Sequence, residues 1–272
     1  MKAEIISIGT ELLLGHLINT NAAYISRKLS SLGIDLYFQT TVGDNSQRLV
    51  QTIRKALIRS DIVILTGGLG PTVDDITMQS VANYISKQLV FNASVWRDIG
   101  KHFNSRGLKV PSGNKRQAMV PEGAKCLRNN FGTAPALIIE HMEKVIICLP
   151  GPPREMEPLF EGPVRAYLKN RFKPKSIIVT RTIKTVGLPE PSVNKVVKDL
   201  LKLTPPTTVG IYAKLREVHL VIMAKAENAA VARKAIMRIE KKIASRLKNN
   251  IFGYDDDTLE GVVGEMLAAK KV

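Results

Sequence analysis

Two hydrophobic rhythms alternate along residues 1–172. Short, nearly unbroken apolar runs occur as AEIISI at 3–8, IDLYFQTTV at 34–42, DIVIL at 61–65 and VIICL at 145–149. Between them lie longer segments in which apolar side chains return every three or four residues. AAYISRKLSSL brings Tyr24, Leu29 and Leu32 near one face, and SQRLVQTIRKALIRS spaces Leu49, Ile53 and Leu57 by four. The runs predict buried strands and the periodic segments predict amphipathic helices. Asn21 is the expected N-cap of the first helix, Gly33 its stop, and Ser46 the N-cap of the second. A third helix is expected to start near Asp74 in DDITMQSVANYIS. Repeated β-α-β implies a parallel sheet with right-handed crossovers and helices on both faces.

The rhythm changes in residues 173–252. SIIVTRTIKTVG, PSVNKVVKDLLKL, TTVGIYAKL, EVHLVIMAKA and a helix from Asn228 read β-α-β-β-α. Ile236, Ile239, Ile243 and Leu247 form the apolar stripe of the last helix. This predicts a small α+β domain, an antiparallel sheet with two helices on one face. The expected organisation is therefore a first domain over 1–172, a second over 173–252, and a tail over 253–272.

Ligands of open α/β sheets sit beyond the carboxyl ends of the strands. The third run ends in TGGLGPTVDD at 66–75. Gly67, Gly68 and Gly70 carry no Cβ, so bare backbone N–H groups can approach an anion there, and Pro71 fixes one turn of the loop. Asp74 and Asp75 bring two carboxylates to the same place. Glu11 and Asp44 follow the first and second runs. Four carboxylates converging on one site need a cation, so Mg²⁺ or a similar divalent or transition metal is expected, with Asp74, Asp75, Asp44 and Glu11 as its candidate ligands. Thr10, Asn19 and Asn21 are candidates for ribose or base contacts. Thr66, Pro150 and Gly151 flank the glycine loops and complete the candidate substrate-binding set. Arg154, after the prolines of LPGPPREM, can pair with a phosphate bidentately or simply sit in solvent at a helix start.

Charge sharpens the domain picture. Of the net +16, residues 173–252 carry +12, residues 1–172 carry +7 and the tail carries −3. A basic module attracts polyanions. This one lacks the GxxG loop that clamps a nucleic-acid backbone, since Gly187 is followed by LPE, so no specific nucleic-acid partner is expected. There is no apolar run of membrane-spanning length and no basic-then-apolar leader, so no membrane partner is expected. The two cysteines, Cys126 and Cys148, form no metal or disulfide spacing, which makes a reduced, cytoplasmic setting the expectation.

The segments GTELLLG at 9–15, NTN at 19–21, VGDN at 42–45, TGGLGPTVDD at 66–75, VPEGA at 120–124, GTAP at 132–135 and LPGPPREM at 149–156 occur here in order. Over nearly all of 1–172 the chain resembles the N-terminal portion of the CinA family, the competence/damage-inducible protein A family. That resemblance implies a MogA/MoaB-like molybdopterin-binding fold, a three-layer α/β sandwich with a mostly parallel sheet, followed by a small α+β KH-type domain. By motif, the aspartates that serve pterin binding and adenylylation in MogA-like proteins correspond to Asp44 and Asp75. With Asp74 these are the candidate catalytic residues. The resemblance further implies metal-dependent hydrolysis of ADP-ribose to AMP and ribose 5-phosphate, with ADP-ribose or a related nucleotide as ligand; a homodimer is a separate expectation, with the basic middle domain serving packing and dimer or domain arrangement. The alternative is a non-catalytic or adenylylating molybdopterin- or nucleotide-binding module. The tail resembles the linker and first helix leading to the family's C-terminal nicotinamide mononucleotide deamidase domain, and deamidase activity is not expected of residues 1–272.

Overall fold

The computed structural model describes residues 1–269; Lys270–Val272, the end of the tail just discussed, lie outside the described residues. The chain divides into two compact units, Met1–Leu29 with Ile34–Lys173, and Ser30–Gly33 with the segment from Pro174 onward.

In the first unit the order is β1 (Lys2–Ile8), α1 (Thr10–Leu13), α2 (Thr20–Ser31), β2 (Asp35–Val42), α3 (Ser46–Arg59), β3 (Ile62–Thr66), α4 (Thr77–Tyr84), β4 (Leu89–Phe91), α5 (Ala93–Asn104), β5 (Met119–Pro121), β6 (Lys125–Leu127), β7 (Ala136–His141), β8 (Lys144–Leu149), α6 (Pro153–Leu159) and α7 (Arg165–Phe172). Six strands form one sheet in the order β2-β1-β3-β8-β7-β6. The pairs β1–β2, β1–β3 and β3–β8 are parallel; β8–β7 and β7–β6 are antiparallel. The central strands are apolar on both faces because both faces are covered. Ile6, Ile8, Val63, Leu65, Ile146 and Cys148 pack with Leu49 and Ile53 of α3 and Val81 of α4. By alternation Ile5, Ile64 and Ile147 face the other way and are fully buried, as are Ile25, Leu29, Phe160 and Leu168. The architecture is the expected α/β type with a mostly parallel sheet. The β-α-β pattern did not foresee β6 and β7.

Helix starts differ from expectation by small shifts with clear causes. The first helix begins at Thr20, and Asn19, not Asn21, accepts the Ala22 N–H at 3.0 Å. The second is capped by Asn45, which accepts the Arg48 N–H at 3.0 Å, not by Ser46. The third begins at Thr77, because the Asp75 carboxylate is bonded to the loop before it and does not cap a helix at Asp74. Between α6 and α7 the helix widens into a π turn, Phe160–Val164, containing Pro163. A proline in a helix interior removes one N–H and crowds the preceding turn, and the wider turn accommodates it.

The second unit has β9 (Ile177–Val186), α8 (Glu190–Val197), β10 (Thr207–Lys214), β11 (Glu217–Ala226), α9 (Ala229–Leu247), β12 (Ile251–Tyr254) and α10 (Leu259–Ala269). Its four strands are ordered β10-β11-β9-β12, all antiparallel. Ile183, Val209, Leu220 and Ile222 meet Val193 and Val197 of α8 and Ile236, Ile243 and Leu247 of α9 in one core. Asn228 caps α9 by accepting the Val231 N–H. The strand β12 crosses the expected boundary at residue 252. Among the described residues no helix is long and apolar enough to cross a membrane.

One buried charge sits in the first sheet. Glu4 on β1 is fully buried and accepts two hydrogen bonds from Arg59, at 2.9 and 2.8 Å, and one from the Thr40 hydroxyl at 3.0 Å. The Arg59 guanidinium lies 3.6 Å over the Phe38 ring. Removing one partner of such a pair strands the other charge in the interior. Arg59→Met is therefore expected to destabilise the first unit by on the order of 2–4 kcal/mol, less than for a pair buried on both sides because the arginine is half-exposed. Urea unfolding checks this, and a shift under about 0.5 kcal/mol would show that Glu4 is satisfied without the arginine.

Candidate active site

Strands β1, β3 and β8 end side by side, and the chain leaving β3 turns tightly against its neighbours. Gly67 has φ +106° and Gly68 has φ +63°. A Cβ on Gly67 would stand 2.3 Å from the Ile8 carbonyl oxygen, and one on Gly68 would stand 2.4 Å from Thr77 Oγ1. Both positions need glycine for backbone angle and for space. Thr66 joins the strand ends: its hydroxyl donates to Pro150 O at 3.0 Å and accepts from Asn21 Nδ2 at 2.9 Å, while the same Asn21 nitrogen donates to Gly151 O at 2.7 Å. With the amide so oriented, Asn21 Oδ1 is buried without a partner, the one such side-chain atom among the described residues.

Hydrogen-bond bookkeeping changes which groups can hold a ligand. The Gly67 N–H already donates to Leu149 O at 3.1 Å, and the Gly70 N–H to Asp75 Oδ1 at 2.7 Å. Of the three glycine N–H groups expected to hold phosphate, only that of Gly68 has no partner among the described residues. The N–H groups of Leu69 and Gly151 have none among them either. Asp75 is also committed: Oδ2 accepts from the Thr72 N–H at 2.8 Å and the Thr72 hydroxyl at 2.6 Å. It braces the glycine loop. Asp74 is exposed and bonds to nothing among the described residues. Asp44 Oδ2 accepts from the backbone N–H and hydroxyl of Thr10, at 2.9 and 2.8 Å, which closes a small box between the ends of β1 and β2. Glu11 is half-buried. The four carboxylates do not converge as expected: among the described residues no group of three or more His, Cys, Asp or Glu side chains could hold a metal ion. The residues present thus do not fit a protein-built metal centre.

Three adjoining cavities surround the turn. One of about 420 Å³ is lined by Glu11, Asn19, Asn21, Thr66, Gly67 and Gly151, with apolar walls from Leu17, Ile18, Pro152 and Pro153. A second, of about 320 Å³, is lined by Gly68, Leu69, Gly70, Pro71, Asp75, Pro150, Gly151 and Glu155. A third, of about 270 Å³, shares Gly68, Leu69, Gly70 and Asp75 with the second and adds Ser46, Gln79 and Arg116. Gly151 belongs to the first and second.

Residues 4–170 match the family model described as "Probable molybdopterin binding domain", and residues 180–253 match "Damage-inducible protein CinA KH domain". A "Putative competence-damage inducible protein" of Caldicellulosiruptor saccharolyticus is 50% identical over 270 residues, covering 99% of this chain and 65% of that protein. The crystal structure of CinA from Thermoplasma acidophilum is 33% identical, with a TM-score of 0.57, covering 63% of this chain and 99% of that one. The chain belongs to the CinA family. Its first unit has the α/β molybdopterin-binding-type fold and its second is the CinA KH domain. It spans 65% of the length of the Caldicellulosiruptor relative.

Within this CinA first domain, other candidates fall outside the cavities. Arg154 is exposed and lines none of the three, and the Thr10 side chain is occupied by Asp44. Asn19 lines the largest cavity, but its amide is used by Ser7 Oγ and by the Ala22 N–H. Burial pushes the Cys148 thiol up to about 12 and raises that of Cys126, so neither is a nucleophile at neutral pH. Sequence reasoning missed Arg116, Gln117 and Glu155. Gln117 donates to Leu69 O at 3.1 Å and holds the loop from outside. Glu155 lies in the same LPGPPREM segment from which Arg154 was picked, and its burial was the missing signal.

The brace role of Asp75 gives a specific expectation. Asp75→Asn replaces one acceptor oxygen with an N–H that faces other donors. Amide exchange at Gly70 and Thr72 should accelerate about tenfold, the worth of roughly one charge-assisted hydrogen bond, while the central strands stay protected. Unchanged exchange at Gly70 and Thr72 would remove the bracing role.

Proposed function

We propose that the first domain binds ADP-ribose or a related nucleotide with its pyrophosphate across the Gly67–Gly68 turn, and hydrolyses the phosphoanhydride to AMP and ribose 5-phosphate. The observation that carries this reading is the row of cavities joined at one turn, with the unpaired N–H groups of Gly68, Leu69 and Gly151 on their shared walls. A ligand with two sugar-bearing ends linked through phosphates has this form: an end in each outer cavity and anionic oxygens in the middle. Fixed backbone donors stabilise charge that develops on a phosphoryl oxygen without reorganising. The orphaned Asn21 Oδ1 beside the 420 Å³ cavity would gain the donor it lacks from a sugar hydroxyl or a base amine.

A divalent cation enters this reading as part of the substrate. Mg²⁺ is commonly held through phosphate oxygens with few protein ligands, which suits a chain whose carboxylates form no cage of their own. No chemical step is assigned to it. The description of the matched family favours a second reading, a molybdopterin-binding module, to which the resemblance to MogA-like proteins adds adenylylation.

Purified protein is expected to release AMP from ADP-ribose in the presence of Mg²⁺, Mn²⁺ or Co²⁺ and to stop when the metal is chelated. Release of pyrophosphate from ATP with molybdopterin, and none of AMP from ADP-ribose, would replace this reading with the second. Calorimetry separates the source of the metal site. Metal titrated into protein alone should give no binding tighter than about 1 mM, whereas metal with ADP-ribose should bind. Tight binding without nucleotide would mean that the carboxylates rearrange into a centre of their own.

A further inference from the structure

A buried carboxylate faces the middle cavity. Glu155 is only 8% exposed. Its Oε2 accepts a hydrogen bond from Asn129 Nδ2 at 2.7 Å. Asn129 is itself locked, since the same nitrogen donates to Ala134 O at 2.9 Å and its oxygen accepts the N–H groups of Phe131 and Gly132 at 2.9 and 3.0 Å. The other carboxylate oxygen, Oε1, accepts no bond and is not closed off, and Glu155 lines the same 320 Å³ cavity as the unpaired N–H groups of Gly68, Leu69 and Gly151. The surroundings are shaped for it: a Cβ on Gly132 would stand 1.9 Å from Glu155 Oε2. A carboxylate with one oxygen anchored and the other open to the cavity that holds the anion donors has the geometry of a general base.

We propose that Glu155 is the catalytic general base of the pyrophosphate hydrolysis, an inference that rests on the ADP-ribose reading above. Water in the middle cavity attacks one phosphorus atom as Glu155 Oε1 takes a proton from it. The bond from that phosphorus to the bridging oxygen breaks, and its electron pair leaves on the bridging oxygen of the other phosphate. The proton passes from Glu155 to solvent, and AMP and ribose 5-phosphate separate. Asp75 in the same cavity has both oxygens engaged by its own loop and is not free for this task. Arg154, next in the chain, and the titratable His102 on α5 lie within electrostatic range of Glu155, and burial and the Arg106 cation hold His102 below its ordinary range against the opposing pull of Glu155.

The test is Glu155→Gln, whose amide oxygen can keep the Asn129 bond while losing basicity. The expected result is a kcat for ADP-ribose about 100-fold lower or less, within the usual worth of a general base. The KM should stay within about threefold, and the acid limb of the wild-type kcat–pH profile should be absent. Gly132→Ala is the second variant: it displaces the carboxylate without removing a titrating group. It should lower kcat about tenfold or more with the acid limb retained. Wild type that hydrolyses ADP-ribose while Glu155→Gln keeps its kcat and pH profile would overturn this role and leave the ADP-ribose reading standing. Wild type that fails to hydrolyse ADP-ribose would overturn both. Should Glu155→Gln not fold, an unchanged kcat in Gly132→Ala overturns the proposal by itself.

Discussion

The carbonyl oxygen of Ile8 leaves no room for a side chain at Gly67, and most of the site follows from that contact. Three parallel strands end level with one another, so the chain leaving the middle strand must cross the last peptide of β1. Only a glycine at positive φ can make that crossing. The turn then runs on through Gly68, whose amide is left with no partner, and the Thr66 hydroxyl and Asn21 amide pull the end of β8 up beside it. The cavities are what remains on either side of a turn pinned at these points.

The glycines therefore serve packing first. The backbone donors of Gly67, Gly70 and Thr72 are spent internally, on Leu149 O and on Asp75, and give the loop its shape. The donors left over are three, two at Gly68–Leu69 and one at Gly151. Asp75 fits the same logic. A carboxylate that accepts three hydrogen bonds from its own loop converts a flexible Gly-Pro segment into a fixed edge, and pre-organisation of this kind is what lets a small number of donors matter.

Much of the fold was legible because each central strand is an unbroken apolar run and each helix carries a stripe at helical spacing. β7 was not, since its run ALIIEH pairs antiparallel and falls outside the β-α-β repeat. Cap positions slipped by a residue or more because several polar residues stand in a row at each helix start, and tertiary partners choose among them. Asn21 is drawn to Gly151, which leaves Asn19 to cap. The tight glycine turn was readable from TGGLGPTVDD, but the different settings of its two aspartates were not. Asp74 and Asp75 look equivalent in sequence, yet one is braced and the other exposed. Glu155 stands inside the LPGPPREM segment, but its burial depends on Asn129 and on the space left by Gly132, more than twenty residues earlier.

Electrostatics limits what such a site can hold. At a separation of about 6 Å and an effective dielectric of about 20, a carboxylate and a phosphate charge repel by roughly 3 kcal/mol. An amide donating to an anionic oxygen returns about 1.5–3 kcal/mol. Glu11, Asp75 and Glu155 line the two larger cavities, so the three unpaired amides roughly offset the acids and do not make a phosphate trap. Inorganic phosphate gains little in such a balance. A ligand that adds apolar and hydroxyl contacts at both ends, and brings its own cation, gains the binding that charge alone withholds.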